Sequence, residues 1–327
     1  MNKDEAARVP MDLKATPLNP IPYGVTLADV PGDGPAIRCA IWPGDDAAIG
    51  TVVLFVGRSE YIERYFETIA DLRRRGYAVV IFDWRGQGGS ERLLPDPRKG
   101  HIATFRAYDD DGLRVLNGLV YDQLPRPYIG FGHSMGGHIL LRLARRPDCQ
   151  LSRVVLSAPM MEIHPTRLGV PERIGYSFAQ TMRGMGLGAR YVPGGSAVSF
   201  ESLEFEDNPL THDRTRFDRN REIATIAPDL GVGDPTIAWL GAAIASMREL
   251  QRPEMARRIL IPTLCCVAEN DRIVATRAAE RFCDNLPVAR CMTMVRAEHE
   301  LLQETDAIRS QFWSAFDAFC QQDAIAA

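Results

Sequence analysis

Ser134 sits inside Gly130-Phe131-Gly132-His133-Ser134-Met135-Gly136-Gly137, where small residues two before and two after the serine permit a cramped strand-to-helix corner. Such a corner pushes the hydroxyl out of the sheet. The helix that follows aims its free N–H groups and positive dipole end at the same spot, so the Met135 N–H is placed to receive an oxyanion. A serine hydroxyl is too weakly acidic to attack a carbonyl unaided. It needs a histidine base, and the base needs a carboxylate that fixes its tautomer and stabilises the imidazolium. Around an elbow of this kind the chain order is Ser, acid, His. Of six histidines only His299 lies beyond the strand expected at 259–267, whose end should carry the acid. Asp271, in Glu269-Asn270-Asp271-Arg272-Ile273-Val274, is the expected acid, with Glu269 as the alternative. His133 and His138 are expected to pack; His101, His164 and His212 fall in the wrong region or order.

A second oxyanion donor belongs in the loop after the first core strand, Phe55-Val56-Gly57-Arg58-Ser59-Glu60. The Arg58 N–H is the expected donor, with the Arg58 side chain and Glu60 bracing the loop. The glycines of 130–136 also fit a dinucleotide loop, but that loop needs an acidic residue at the end of the next strand. Here Ser152–Ser157 runs into Ala158 and Pro159, which weighs against that reading.

The elements that must hold these residues are legible as runs. Gly24–Val30 and Ala36–Trp42 flank a Pro-Gly-Asp-Gly turn and read as an antiparallel hairpin. Thr51–Val56, Tyr77–Asp83, 127–132 and 152–157 are apolar on both faces and alternate with helices at 62–75, 108–120 and after Ser134, the pattern of a parallel sheet covered on both sides. From Pro159 the rhythm breaks into helical segments, with Ile174, Phe178 and Met182 at spacing four and a helix over 235–250. Alternation resumes with strand 259–267, helix 276–286, strand 291–295 and helix 306–320. The expected division is therefore a core of 1–158 and 257–327, interrupted by a mainly helical cap at 159–256.

At 46% hydrophobic and 24% charged residues, with a net charge of −4, the chain lacks the basic surplus of a nucleic-acid binder. The start Met1–Arg8 has no apolar stretch and no run of about 18 apolar residues follows, so a cytoplasmic protein is expected. Seven cysteines without repeated spacing argue against a disulfide scaffold and a zinc site. Cys265 and Cys266, in an apolar run, read as buried thiols. No metal and no cofactor is expected. Within 159–256 thirteen acidic residues face ten arginines and no lysine, so any contact of the cap with a membrane surface is expected to be transient.

Five motifs together resemble the α/β-hydrolase family, in its branch of bacterial lysophospholipases and monoacylglycerol lipases. They are Val56-Gly57-Arg58-Ser59-Glu60, Asp83-Trp84-Arg85-Gly86-Gln87-Gly88-Gly89-Ser90, His133-Ser134-Met135-Gly136-Gly137, Glu269-Asn270-Asp271-Arg272-Ile273-Val274 and Ala297-Glu298-His299-Glu300. The cap run Asn208-Pro209-Leu210-Thr211-His212-Asp213-Arg214 adds to the likeness, which spans about residues 50 to 320. Departures are Val56, where the branch has His or Pro, and Arg296, where it has Gly. The resemblance implies an α/β-hydrolase fold and attack of Ser134 on a carboxylic ester of a monoacyl lipid. An acyl-enzyme would follow, released by water that His299 activates. Methionines conform to flexible apolar ligands, so Met160, Met161 and Met182 are the expected acyl-pocket residues. A peptidase, thioesterase or acyltransferase using the same triad is the alternative.

Overall fold

A computed structural model describes residues 12–45, 47–200 and 203–320; the leader Met1–Arg8 lies outside them. Eight strands form one sheet: β1 (Thr26–Asp29), β2 (Arg38–Trp42), β3 (Thr51–Phe55), β4 (Ala78–Phe82), β5 (Tyr128–His133), β6 (Arg153–Ser157), β7 (Thr263–Ala268) and β8 (Ala289–Met294). Their order across the sheet is β1-β2-β4-β3-β5-β6-β7-β8. The β1–β2 and β2–β4 pairings are antiparallel and the rest parallel. From β3 the chain steps outward to β4, then returns to the other side of β3 as β5. This reversal of winding opens a crevice beyond the carboxyl ends of β3 and β5, where ligands of open parallel sheets bind.

Ten α-helices accompany the sheet among the described residues: α1 (Phe66–Arg74), α2 (Arg106–Val115), α3 (Met135–Ala144), α4 (Pro165–Leu168), α5 (Glu172–Gly184), α6 (Arg214–Ile226), α7 (Ile237–Leu250), α8 (Pro253–Ala256), α9 (Thr276–Cys283) and α10 (Asp306–Cys320). Helices α4 to α8 lie between β6 and β7 in the chain. No helix among the described residues is long and apolar enough to cross a membrane. Strands β3, β4 and β5 are buried at every position, which is why they read as unbroken apolar runs rather than alternating ones.

Element ends differ from the sequence reading where local chemistry intervenes. The strand expected from Ile259 starts at Thr263, because Pro262 has no N–H for a ladder and Leu260 is exposed. The helix expected over 108–120 becomes a π-helical turn at Leu116–Val120, across Gly118. Helix α7 begins after Thr236, whose Oγ1 accepts the Trp239 N–H at 3.3 Å.

The sheet and α3 meet so closely that two glycines are obligatory. A Cβ on Gly136 would lie 2.0 Å from the Phe55 carbonyl oxygen, and one on Gly132 2.6 Å from the Gly137 Cα. Gly184, at the end of α5, has nothing within 4 Å. Gly136→Ala is therefore expected to cost about 3 kcal/mol or more, whereas Gly184→Ala should change stability by no more than about 1 kcal/mol, in either direction. Denaturant midpoints of the two variants check the contrast.

Candidate active site

At the end of β5 the chain turns through Ser134, at φ 49° and ψ −117°, directly into α3. L residues rarely adopt a positive φ, so the surroundings must hold it. The Ser134 N–H donates to the Ser157 carbonyl at 3.0 Å, and the Ser134 carbonyl accepts from Met160 N–H at 3.0 Å and His138 N–H at 3.1 Å. The ends of β5 and β6 and the first turn of α3 are thus fastened to one residue. Met135, which opens α3, carries one of the helix's free N–H groups.

Across the site His299 Nε2 lies 3.0 Å from Ser134 Oγ, and His299 Nδ1 lies 2.7 Å from Asp271 Oδ2. All three side chains are buried. The other carboxylate oxygen of Asp271 accepts the N–H groups of Ile273 at 2.8 Å and Val274 at 2.9 Å, which fixes the carboxyl plane. Burial opposes ionisation of Asp271, but His299 and the two amides hold its carboxyl below 3.8. Burial likewise disfavours the His299 imidazolium, yet the Asp271 carboxylate, with Glu300 and Glu60 nearby, outweighs it and holds His299 above its ordinary 6.5. A chain of this kind can move a proton from a hydroxyl to an imidazole and keep the resulting cation paired.

The family model described as serine aminopeptidase, S33 (Hydrolase_4), matches residues 46–306. The chain belongs to that family. It is 32% identical over 287 residues to the probable lysophospholipase L2 of Haemophilus influenzae, across 87% of each protein. It is also 32% identical over 269 residues to lysophospholipase L2 of Escherichia coli K12, across 79% of this chain and 76% of that one. A solved soluble variant of monoglyceride lipase from Saccharomyces cerevisiae, in complex with a substrate analogue, shares the fold at a TM-score of 0.72 and 20% identity, over 93% of this chain and 98% of that one. The α/β-hydrolase fold and a serine hydrolase follow.

In this S33 hydrolase the loop after β3 is braced from β4. Gln87 Nε2 donates to the carbonyls of Gly57 at 2.7 Å and Glu60 at 2.9 Å, and Trp84 Nε1 donates to the Val56 carbonyl at 2.8 Å. Asp83 accepts the Ile62 N–H at 3.0 Å and the Gly89 N–H at 2.7 Å. Glu60 accepts the Gly57 N–H and the Tyr65 hydroxyl. Gly57 is needed for close approach rather than for its own dihedral, because a Cβ there would lie 2.7 Å from Glu60 Oε2; Ser59 carries the positive φ of 65°. The Arg58 guanidinium donates to the Gly233 carbonyl at 2.9 Å and faces the Trp239 ring, which ties this loop to α7 and the segment before it.

The loop bearing His299 is held from an unexpected direction. The Asn208–Asp213 run, between α5 and α6, grips it: Glu300 N–H donates to the Leu210 carbonyl at 2.9 Å, and Thr211 Oγ1 donates to the Gln303 carbonyl at 2.6 Å. His212 Nδ1 lies 2.8 Å from the buried Glu304, whose Oε1 also accepts the Glu298 N–H at 2.9 Å. Glu269, the alternative acid, accepts the Arg296 N–H at 2.8 Å instead of approaching His299. Arg296 sits at φ 64°, the left-handed region, where the lysophospholipase-like pattern has glycine.

Ser134 and His299 open into a cavity of about 450 Å³, inside the range of small-ligand sites. Its walls are mostly apolar, including Leu168, Ile174, Phe178, Phe200, Trp239 and Leu240. Arg58 and Met160 line it; Met161 and Met182 do not, which corrects the expected methionine lining. Met161 is fully buried in the core, and Met182 stands one turn beyond Phe178 on α5. His133 and His138 pack as expected: His133 Nδ1 is 3.1 Å from Ser157 Oγ, His138 Nε2 is 2.7 Å from Ser246 Oγ, and burial pushes them down to about 4 and about 3. The remaining three histidines serve locally, His101 on Thr236, His164 on Thr166 and His212 on Glu304.

Only neutral His299 can accept a proton, so kcat/KM for an activated ester should fall as pH drops through a pKa above 6.5. Asp271→Asn removes the charge that raises it. That variant is expected to lose about 10,000-fold in kcat and to shift the acid limb downward, as pH–rate profiles of both proteins would register; an unchanged limb would assign the carboxylate role elsewhere.

Proposed function

We propose that this protein hydrolyses the ester of a monoacyl lipid, a lysophospholipid or monoacylglycerol, through Ser134, His299 and Asp271. The observation that carries the reading is the unbroken hydrogen-bond chain Asp271–His299–Ser134 ending at the mouth of an apolar cavity. Ser134 Oγ attacks the ester carbonyl while His299 Nε2 takes its proton. The oxyanion is received by the N–H groups of Met135 and Arg58, each such donor contributing about 2.7 to 4 kcal/mol. His299 returns the proton to the leaving alcohol, the acyl group stays on Ser134, and water activated by His299 releases it. The segment 159–256 acts as the cap that shapes the acyl site, with Phe178 of α5 and Trp239 and Leu240 of α7 among its walls.

Support from relatives is of the same kind, since the two lysophospholipases named above match this chain over most of their length. The family's description as aminopeptidases keeps a peptidase as the second reading. An aminopeptidase needs a carboxylate for the substrate amine. The three that line the cavity are engaged: Glu60 by Tyr65, Glu300 by Arg64 and Asp234 by the Ser196 N–H at 2.9 Å. That favours the ester reading over an aminopeptidase.

A p-nitrophenyl ester series of increasing chain length, run beside lysophosphatidylcholine, monoacylglycerol and an aminoacyl-p-nitroanilide, tests the choice. Wild type should turn over the esters with an optimum at one acyl length, and Ser134→Ala should turn over none. Phe178→Ala should move the optimum to longer or bulkier chains while leaving p-nitrophenyl acetate within a few-fold. Preference for the anilide would establish the peptidase reading.

A further inference from the structure

Three cysteines that are scattered in the sequence meet in the fold. Cys265 lies in the middle of β7, Cys291 is its register partner on β8, and Cys283 is the last residue of α9, which packs on both strands. Their three Sγ atoms all lie within 4.8 Å of one another. Cys265 and Cys283 are buried and Cys291 is exposed, so the group has a dry floor and one side open to solvent. The spacing, 18 residues and then 8, matches no metal-binding motif, and only the pairing of β7 with β8 under α9 brings the thiols together.

The arrangement suits a soft cation better than the alternatives. A tetrahedral ion about 2.3 Å from each thiolate sets the sulfurs about 3.8 Å apart, a separation compatible with three Sγ atoms that all lie within 4.8 Å of one another. A disulfide would need two sulfurs at about 2.05 Å and would leave the third thiol unused. Thiolates select zinc and its softer relatives over magnesium or calcium, which prefer oxygen. Among the described residues no histidine or carboxylate joins the group, so solvent on the Cys291 side completes the coordination.

We propose that Cys265, Cys283 and Cys291 form a binding site for one thiophilic d10 divalent cation, zinc or cadmium, with three thiolate ligands and a water in the fourth position. Binding involves no redox change: each thiol gives its proton to solvent as its sulfur–metal bond forms. The cation would pin the edge strand β8 to β7 and α9. Since β7 leads into the turn of Asp271 and β8 into the loop of His299, the site braces the frame from which both residues project.

The test is a titration of reduced, chelator-treated full-length protein with Cd(II), read by the sulfur-to-cadmium charge-transfer absorption, and with Zn(II) in competition with a chromophoric chelator. One equivalent should bind, with the absorption of three thiolates. Cys283→Ser and Cys291→Ser should each weaken binding about 100-fold or more, whereas Cys149→Ser, at a half-buried thiol outside the group, should not. Because Cys291 is exposed, Cys291→Ser is expected to fold, and circular dichroism verifies it. Zn(II) should raise the Tm of wild type and leave that of Cys291→Ser unmoved. The proposal is overturned by a wild type that binds neither ion stoichiometrically, or by a folded Cys291→Ser that binds as tightly as wild type.

Discussion

The whole site depends on how closely α3 approaches the sheet at Ser134. A left-handed serine between an apolar strand and a helix is a strained feature, and it persists only because its N–H and carbonyl are claimed by β6, by Met160 and by the first turn of the helix. The cost is met by packing that leaves no room for a Cβ at Gly132 or Gly136. In return the serine hydroxyl, the Met135 N–H and the end of the helix dipole converge on one point. With the serine fixed there, its partners must arrive from other strand ends.

They arrive by separate routes with different supports. Asp271 needs only two backbone N–H groups and the short turn after β7. His299 depends on contacts from Asn208–Asp213, far away in sequence, together with the buried Glu304. The loop of Arg58 rests on Asp83, Trp84 and Gln87, and Asp83 is itself paired with the buried Arg38, whose guanidinium also engages Glu63 at 2.7 and 2.8 Å. Buried ion pairs add little net stability, because desolvation offsets their attraction. What this cluster supplies is orientation: it holds the Asp83 carboxylate where it can accept the Ile62 and Gly89 N–H groups.

Much of this was legible in the residues, and the reasons differ from part to part. Gly132-x-Ser134-x-Gly136 is a local pattern whose geometry is set by its own small side chains. The strands could be read because burial on both faces leaves unbroken apolar runs, and chain order selected His299 and Asp271. Four features escaped. The apolar stretch from Ile259 extends the strand pattern beyond the point where Pro262 allows pairing. Helical spacing of Ile174, Phe178 and Met182 identifies a face but not where along α5 the cavity wall ends. The grip of the 208–213 run on the histidine loop and the meeting of Cys265, Cys283 and Cys291 are products of long-range topology, to which spacing is blind.

The central claim is that Ser134 carries the acyl group during turnover. Rapid mixing of wild type with a p-nitrophenyl ester, acid quenching before the steady state and mass mapping of the peptides measure this directly. The expected result is one acyl group per chain, on the peptide containing Ser134, formed as fast as the burst of p-nitrophenol. Turnover with no acylated peptide, or with the acyl group on another residue, would contradict it.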